Sequence, residues 1–337
     1  MYKNRVPCKI LRNVLPPTVQ SNSSVITSYC FPHCVLGGCY LYFLHLELGT
    51  ISAVRPQLEK VLVMNIQGKT ALITGASRGI GRAIALDIAQ QGAKRLLLVA
   101  RDADRLAEVA AEIEALGVKA AILPLDLAQI VEVNIAIAQA WRDYGQIHLL
   151  VNCAGVAHQA PFLKSQLPDV QQEIAINLMG MYTMTRLVAR RMATQREGTI
   201  VNVSSLMGKI AAPTMATYSA TKFAILGFTQ ALRGELADYN IRVMALLPSL
   251  TDTDMVRELK WFRWVVPTTS LKVAQALVAG LQKESPEILV GWQSHIAVWC
   301  NRIAPWLLEK VLLLAAPLSK YKQKRYHRLR EAGVVSR

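Results

Sequence analysis

Hydrophobic positions between residues 70 and 290 fall into two alternating patterns. Short, unbroken apolar runs suit strands buried on both faces of a parallel sheet. Longer stretches, such as 82–91, carry the mixed apolar and polar pattern of a helix packed on one side. The runs predict strands at 71–74, 95–100, 120–124, 149–152, 198–204, 242–247 and 287–290, with helices starting near Gly79, Ala103, Ala128, Pro168, Thr217 and Leu271. This alternation predicts one doubly wound α/β sheet of about seven parallel strands, although 337 residues would also allow two domains. Right-handed crossovers bring the C-terminal ends of such strands to one edge, where ligands bind. Thr74, Arg101, Asp126, Asn152 and Ser205 all fall at such ends.

Composition supports an enzyme-sized core: 52% of residues are hydrophobic and 18% charged, which excludes wholesale disorder. The net charge of +15 owes much to seven Lys or Arg against one acid in 320–337, so nucleic-acid binding need not be invoked for the body of the chain. Four of the six cysteines (Cys8, Cys30, Cys34, Cys39) lie in the first 63 residues. With His33 they match no common zinc spacing, and no metal site is expected. Without a pairing pattern, the cysteines read as those of a reducing, cytoplasmic compartment.

Candidate chemistry begins at Tyr218 and Lys222, four residues apart and therefore one turn apart on one helix face. An ammonium held there is expected to favour the phenolate and lower the tyrosine's pKa toward neutrality. A tyrosine so tuned exchanges a proton with a carbonyl or alcohol oxygen. Ser205 precedes Tyr218 by thirteen residues. Far upstream, the first strand runs into Thr74, Gly75, Ala76, Ser77, Arg78, Gly79, Ile80 and Gly81. Three glycines there permit a tight strand-to-helix turn whose backbone N–H groups approach a pyrophosphate, in a G-x-x-x-G-x-G spacing. The alternative is a glycine-rich turn with no ligand. Gly68-Lys69-Thr70 ends like a P-loop, but Val63 stands where that motif needs glycine.

The ordered set of TGASRGIG, Asn152-Cys153-Ala154-Gly155, Asn177, Ser205 and Tyr218-x-x-x-Lys222 resembles the short-chain dehydrogenase/reductase family over about residues 66–291. The resemblance implies a Rossmann-type catalytic domain, a nicotinamide cofactor and four catalytic residues. Tyr218 is then the general acid in carbonyl reduction, and Lys222 holds the nicotinamide ribose. Ser205, selected over Ser204 by its spacing, holds the substrate oxygen. Asn177 orients a water in a proton relay. Cofactor contacts are implied for Thr74, Gly75, Ser77, Arg78, Gly79, Ile80, Gly81, Arg101, Asp126, Asn152, Ala154, Gly155, Tyr218, Lys222, Pro248 and Thr253. Asp126 is implied to contact the adenine, although its position equally suits a helix cap.

Two departures stand out. Cys153 replaces the second asparagine of the family's N-N-A-G stretch, and Ser249 replaces the glycine that often follows the proline after the sixth strand. An NAD-preferring chain would place an acid after the second strand to accept from the ribose hydroxyl. This chain has Arg101, with Arg78 nearby, which favours NADP(H) over NAD(H), although Asp102 follows directly. The other reading of Arg101 is a solvated loop residue.

Segment 251–270 occupies the family's substrate-covering position. Trp261, Phe262, Trp264, Val265 and Val266 would form an apolar lid over a small hydrophobic carbonyl or alcohol substrate, with Arg257, Lys260 and Arg263 able to meet an acidic carrier. Ordinary packing at a core or an interface is the competing account. A 3-oxoacyl thioester is the first substrate expected from the resemblance; a hydroxysteroid, retinoid or other lipid alcohol is the second. The division expected is an extension at 1–63, a catalytic domain at 64–295 and a C-terminal helix with a basic tail at 296–337. Met64 resembles a family start, so residues 1–63 are expected to be an artefact of start-site choice; the alternatives are a disordered extension or a membrane-anchoring leader. Residues 296–318 pattern as an amphipathic or cover helix, leaving peripheral membrane contact and a homo-oligomer interface both open.

Overall fold

Thr70–Thr74 forms β1, buried at every position, because Leu72 and Ile73 must each meet a helix layer on opposite faces. The computed structural model describes residues 65–317 apart from Glu258 and Trp261. The extension, Met64, Trp261 of the lid and the basic tail therefore lie outside the described residues. The chain divides into two units, Met1–Val61 and Leu62–Arg337, and every described residue belongs to the second.

After β1 the chain alternates as the pattern predicts. α1 (Gly79–Gln90), β2 (Arg95–Ala100), α2 (Ala103–Ala115), β3 (Lys119–Pro124), α3 (Ile130–Tyr144) and β4 (Leu149–Asn152) form the first part. α4 (Leu167–Glu173) leads through a π-helical segment, Ile174–Gly180, into α5 (Met181–Gln195). β5 (Gly198–Val203), α6 (Ala216–Ala237) and β6 (Ile241–Leu247) follow. β7 (Thr251–Asp252), the short α7 (Asp254–Arg257), β8 (Thr268–Thr269), α8 (Ser270–Lys283), β9 (Glu287–Leu289), α9 (Trp292–Ile303) and α10 (Pro305–Ala315) complete the order.

Seven strands pair in parallel in the order β3-β2-β1-β4-β5-β6-β9. The chain reverses its direction of growth between β1 and β4, which opens a crevice at their C-terminal ends. One core layer sets Ile84, Ile88, Leu106, Ile113 and Leu277 against one sheet face. The other sets Val133, Ile137, Met184, Val188 and Met192 against the opposite face.

Two sequence expectations shift. The third helix begins at Ile130 rather than near Ala128 because Asp126 turns the chain first: its Oδ1 accepts from Ala128 N at 3.0 Å, and Gln129 N donates to Asp126 O at 3.0 Å. The C-terminal apolar stretch is two helices rather than one, and α9 starts at Trp292, so a boundary at 295 cuts through it. Pro305 explains the break, since the residue before a proline is driven out of helical geometry, and Ala304 takes φ −139° and ψ 66°.

Candidate active site

The glycine turn between β1 and α1 is built by close approach. Gly75 adopts φ +70°, and a Cβ on it would lie 2.9 Å from Ala154 Cα; one on Gly81 would lie 2.1 Å from the Gly75 carbonyl oxygen. Only hydrogen fits at either place, which leaves the N-terminus of α1 bare toward the crevice. Thr74, fully buried at the end of β1, clasps the neighbouring strand: its Oγ1 accepts from Cys153 N and Ala154 N, each at 3.0 Å. That clasp uses backbone amides, so the cysteine at 153 does not weaken it.

A cleft of about 820 Å³ opens at this edge. At one end stand Gly75, Ser77, Arg78, Gly79, Ile80, Gly81, Arg101 and Asp126, and at the other Ser205, Tyr218 and Lys222. Ala154, Gly155, Pro248 and Thr253 also line it. Thr74, Asn152 and Asn177 do not. Asn152 turns into the sheet, where its Nδ2 donates to Thr185 Oγ1 and Asn202 Oδ1, both at 2.8 Å. Its Nδ2 thus serves the sheet, while its buried Oδ1 has no hydrogen-bond partner among the described residues.

Asn177 sits in the π-helical segment, where the extra residue per turn displaces it toward the β4 loop. Its Oδ1 accepts from Val156 N at 2.8 Å, and its Nδ2 donates to Val156 O at 2.9 Å. A Cβ on Gly155 would stand 3.2 Å from Asn177 Oδ1 and 3.6 Å from Lys222 Nζ, so that glycine separates the two groups by very little.

Ser205 caps the turn after β5, its Oγ accepting from Met207 N at 3.1 Å, and it shares a side-chain hydrogen bond with Tyr218. Ser204 is buried and donates to Lys222 O at 2.8 Å, holding α6 against β5. Both serines line the cleft, and Ser205 is the one hydrogen-bonded to Tyr218. Lys222 donates to Val203 O at 3.1 Å, and its Nζ lies 5.5 Å from the centre of the Tyr218 ring.

The expected depression of the tyrosine's pKa is not met. Burial pushes the Tyr218 phenol up to about 12, opposed by the hydrogen bond to Ser205, and pushes the Lys222 ammonium down to about 8. Removing both groups from water outweighs their interaction, because the ammonium rests over the ring. Tyr218 thus keeps its proton at neutral pH, as a proton donor must. The Cys153 thiol is pushed up to about 12 by burial and stays an inert thiol.

Sequence reasoning missed Glu173. It is buried, its Oε1 accepts from His158 N at 2.6 Å, and burial raises its pKa. Nothing in the pattern marks it, since a glutamate on an amphipathic helix reads as solvated. A carboxyl whose pKa is higher in the folded state binds more protons folded than unfolded, so folding stability falls as pH rises through that window. Glu173→Gln is therefore expected to melt at a higher temperature than the parent at about pH 7.5, with the gap closing toward about pH 4. Melting curves at the two pH values decide this; an equal offset at both rejects it.

Also missed was Arg105, which joins Arg78 and Arg101 on the cleft wall. Asp102 is the N-cap of α2, its Oδ1 accepting from Arg105 N at 3.1 Å, and it also lines the cleft beside Arg101. Asp126 lines the cleft and caps the turn before α3, whose own N-cap is Gln129, so it is not that helix's cap. Ser249 has no left-handed backbone, and Pro248 O accepts from Leu206 N at 2.8 Å, so the loop after β6 holds without a glycine.

Segment 251–270 does cover the cleft. Its ends are stapled by the β7–β8 pairing of Thr251 with Thr268 and Asp252 with Thr269. Gln159 Nε2 donates to Lys260 O at 3.0 Å, and Arg263 N donates to Ala315 O at 2.9 Å. Phe262, Trp264 and Val265 line the cleft; Val266 does not, and is exposed. The wall is completed by Ala297 of α9 and by Leu308, Val311, Leu312 and Ala315 of α10.

A model of the short chain dehydrogenase family matches residues 69–263, more than half of the chain. The chain belongs to this family. This short-chain dehydrogenase is similar to a 3-oxoacyl-[acyl-carrier-protein] reductase of Synechocystis sp.; the two are 36% identical over 194 residues, 58% of this chain and 78% of the relative. It is 36% identical over 201 residues to the 2,3-dihydro-2,3-dihydroxybenzoate dehydrogenase of Bacillus subtilis, covering 59% and 74%. Among solved structures, a short chain dehydrogenase from Burkholderia cenocepacia in complex with NADP superposes with a TM-score of 0.65 at 27% identity, covering 74% of this chain and 99% of that one. The chain is thus an oxidoreductase with the family's parallel sheet.

Proposed function

We propose that this short-chain dehydrogenase reduces the carbonyl of a 3-oxoacyl thioester to an alcohol with NADPH. The observation that carries the reading is a single cleft joining Ser205, Tyr218 and Lys222 at one end to Arg78, Arg101 and Arg105 at the other. The residues present fit the dinucleotide: Gly75 and Gly81 leave the α1 N-terminus bare for a pyrophosphate, and the arginines suit a 2′-phosphate as charge-assisted forks. When bound, NADPH supplies the hydride.

The chain's residues do the rest. Ser205 donates to the substrate carbonyl oxygen and holds it beside Tyr218. Tyr218 gives its proton to the oxygen as negative charge develops there. Lys222, held by Val203 O, anchors the nicotinamide ribose and stabilises the tyrosinate left behind. Asn177, behind Gly155 and Val156 at the cleft wall, positions a water that returns the proton. Phe262, Val265 and Leu312 exclude solvent and pack an acyl chain. The thioester assignment is supported by the Synechocystis relative's activity and by the apolar wall.

Two measurements test this reading. NADPH oxidation against a panel of 3-oxoacyl thioesters and bulky hydrophobic ketones is expected to give the highest kcat/KM with a thioester; a higher value for a ketone overturns the substrate assignment. Arg101→Asp is expected to lower kcat/KM for NADPH by about tenfold or more while sparing NADH, since attraction to the 2′-phosphate becomes repulsion. An unchanged ratio between the two cofactors makes Arg101 a solvated loop residue.

A further inference from the structure

The helices α9 and α10 present two different faces. One walls the cleft through Ala297, Leu308, Val311 and Leu312. The other points away and is apolar, although a surface helix ordinarily turns polar residues outward. On α9, Trp292, Ile296, Trp299 and Ile303 recur at the spacing of one helical stripe, with Trp292 70% and Trp299 63% exposed. On α10, Trp306 is 62% exposed, and Leu307, Leu313 and Leu314 are exposed beside it. So large a contiguous apolar surface marks a docking site.

Charge decides between occupants. The exposed charges among these side chains are Arg302, Lys310 and Glu309, and Lys310 Nζ sits 5.4 Å from the centre of the Trp306 ring. Beyond Pro317 the remaining twenty residues carry seven Lys or Arg against the single acid Glu331. A second copy of the chain would bring this excess of positive charge against its own like, since a twofold contact sets the same patch on both sides. A lipid surface bearing anionic headgroups complements it. Three tryptophans on the exposed face suit the boundary between headgroup and acyl chain, where such rings collect. No helix among the described residues is long and apolar enough to cross a membrane, so α9 and α10 would lie in the plane of the interface.

We propose that the outer face of α9 and α10 docks on an anionic lipid bilayer. The cleft then lies within one helix thickness, about 10 Å, of the acyl boundary, which suits a lipophilic substrate. The docking itself does not depend on the reductase reading.

Co-sedimentation of the full chain with vesicles tests it. Binding is expected to vesicles of phosphatidylcholine mixed with phosphatidylglycerol, with little to phosphatidylcholine alone and a decline as salt is raised. Tryptophan emission is expected to shift to the blue on binding and to be quenched by brominated acyl chains. The double variant Trp292→Glu, Trp299→Glu is expected to lower the partition coefficient by about tenfold or more. Both positions are solvent-exposed, so its melting temperature and turnover of a water-soluble ketone are expected to match the parent. Replacing Lys320, Lys322 and Lys324 by Gln is expected to weaken binding to the anionic vesicles. Absence of vesicle binding by the parent overturns the proposal, as does equal binding by the double tryptophan variant. Conversion of an oligomer to a smaller species by that variant, without vesicle binding by the parent, assigns the face to a second copy instead. Loss of thioester reduction with vesicle binding intact would count against the enzymatic reading alone.

Discussion

Tyr218→Phe is expected to bind NADPH with nearly the parent's affinity and to reduce its substrate about 10²–10⁴-fold more slowly, the range spanned by a lost general acid. The ring and its neighbours stay in place, because the substitution removes one oxygen from a side chain whose environment is otherwise apolar or held by Ser205. The effect should therefore appear in kcat, with cofactor affinity measured by fluorescence titration as the control. Retention of the parent's rate in the purified variant would remove Tyr218 from the proton-donor role.

Lys222→Met is expected to separate activity from stability. Turnover should fall by about 10²–10³-fold with the loss of a positive charge beside the developing tyrosinate. Stability at neutral pH should be equal or higher, because a nearly buried ammonium is replaced by a side chain of similar length that needs no solvation. The sign of the pH dependence follows from the lysine's value of about 8, down from 10.5. Between these values the lysine binds more protons in the unfolded chain than in the folded one, so its contribution to the parent's stability rises with pH through that window. The methionine variant lacks this contribution, so its margin over the parent should shrink across the window, while the raised values of Tyr218 and Cys153 act in both chains. In the parent, turnover is expected to fall as pH passes about 8, where Lys222 loses its charge. Thermal melts across that window, with a pH–rate profile of the parent, check both arms. A marked drop in the variant's melting temperature at neutral pH would mean that the bond to Val203 O outweighs the burial of charge.

Much of the cleft was legible before any coordinates, and the reason lies in its components. The glycines at 75 and 81 are forced by backbone contacts as close as 2.9 and 2.1 Å, so their spacing reports a local geometry that any reader of the chain can recover. Tyr218 and Lys222 share a helix face by periodicity alone, and Ser205 follows a strand whose end the apolar run marks. Asn152 shows where such legibility stops: its place at a strand end is local, but which way its amide turns depends on Thr185 and Asn202, thirty-three and fifty residues away.

What the sequence by itself determined was the parallel sheet, its strand ends and the identity of the groups gathered there, because each depends on hydrophobic period, glycine geometry or short spacing. Only the tertiary structure decided three further things. It fixed the direction of the Tyr218 and Lys222 pKa shifts, since desolvation comes from the whole surrounding wall. It buried Glu173 beneath the β4 loop. It also folded α10 back over the cleft, leaving one face on the substrate side and an apolar face outside. These outcomes rest on contacts between segments far apart in the chain, and no local pattern carries the energy of a distant neighbour.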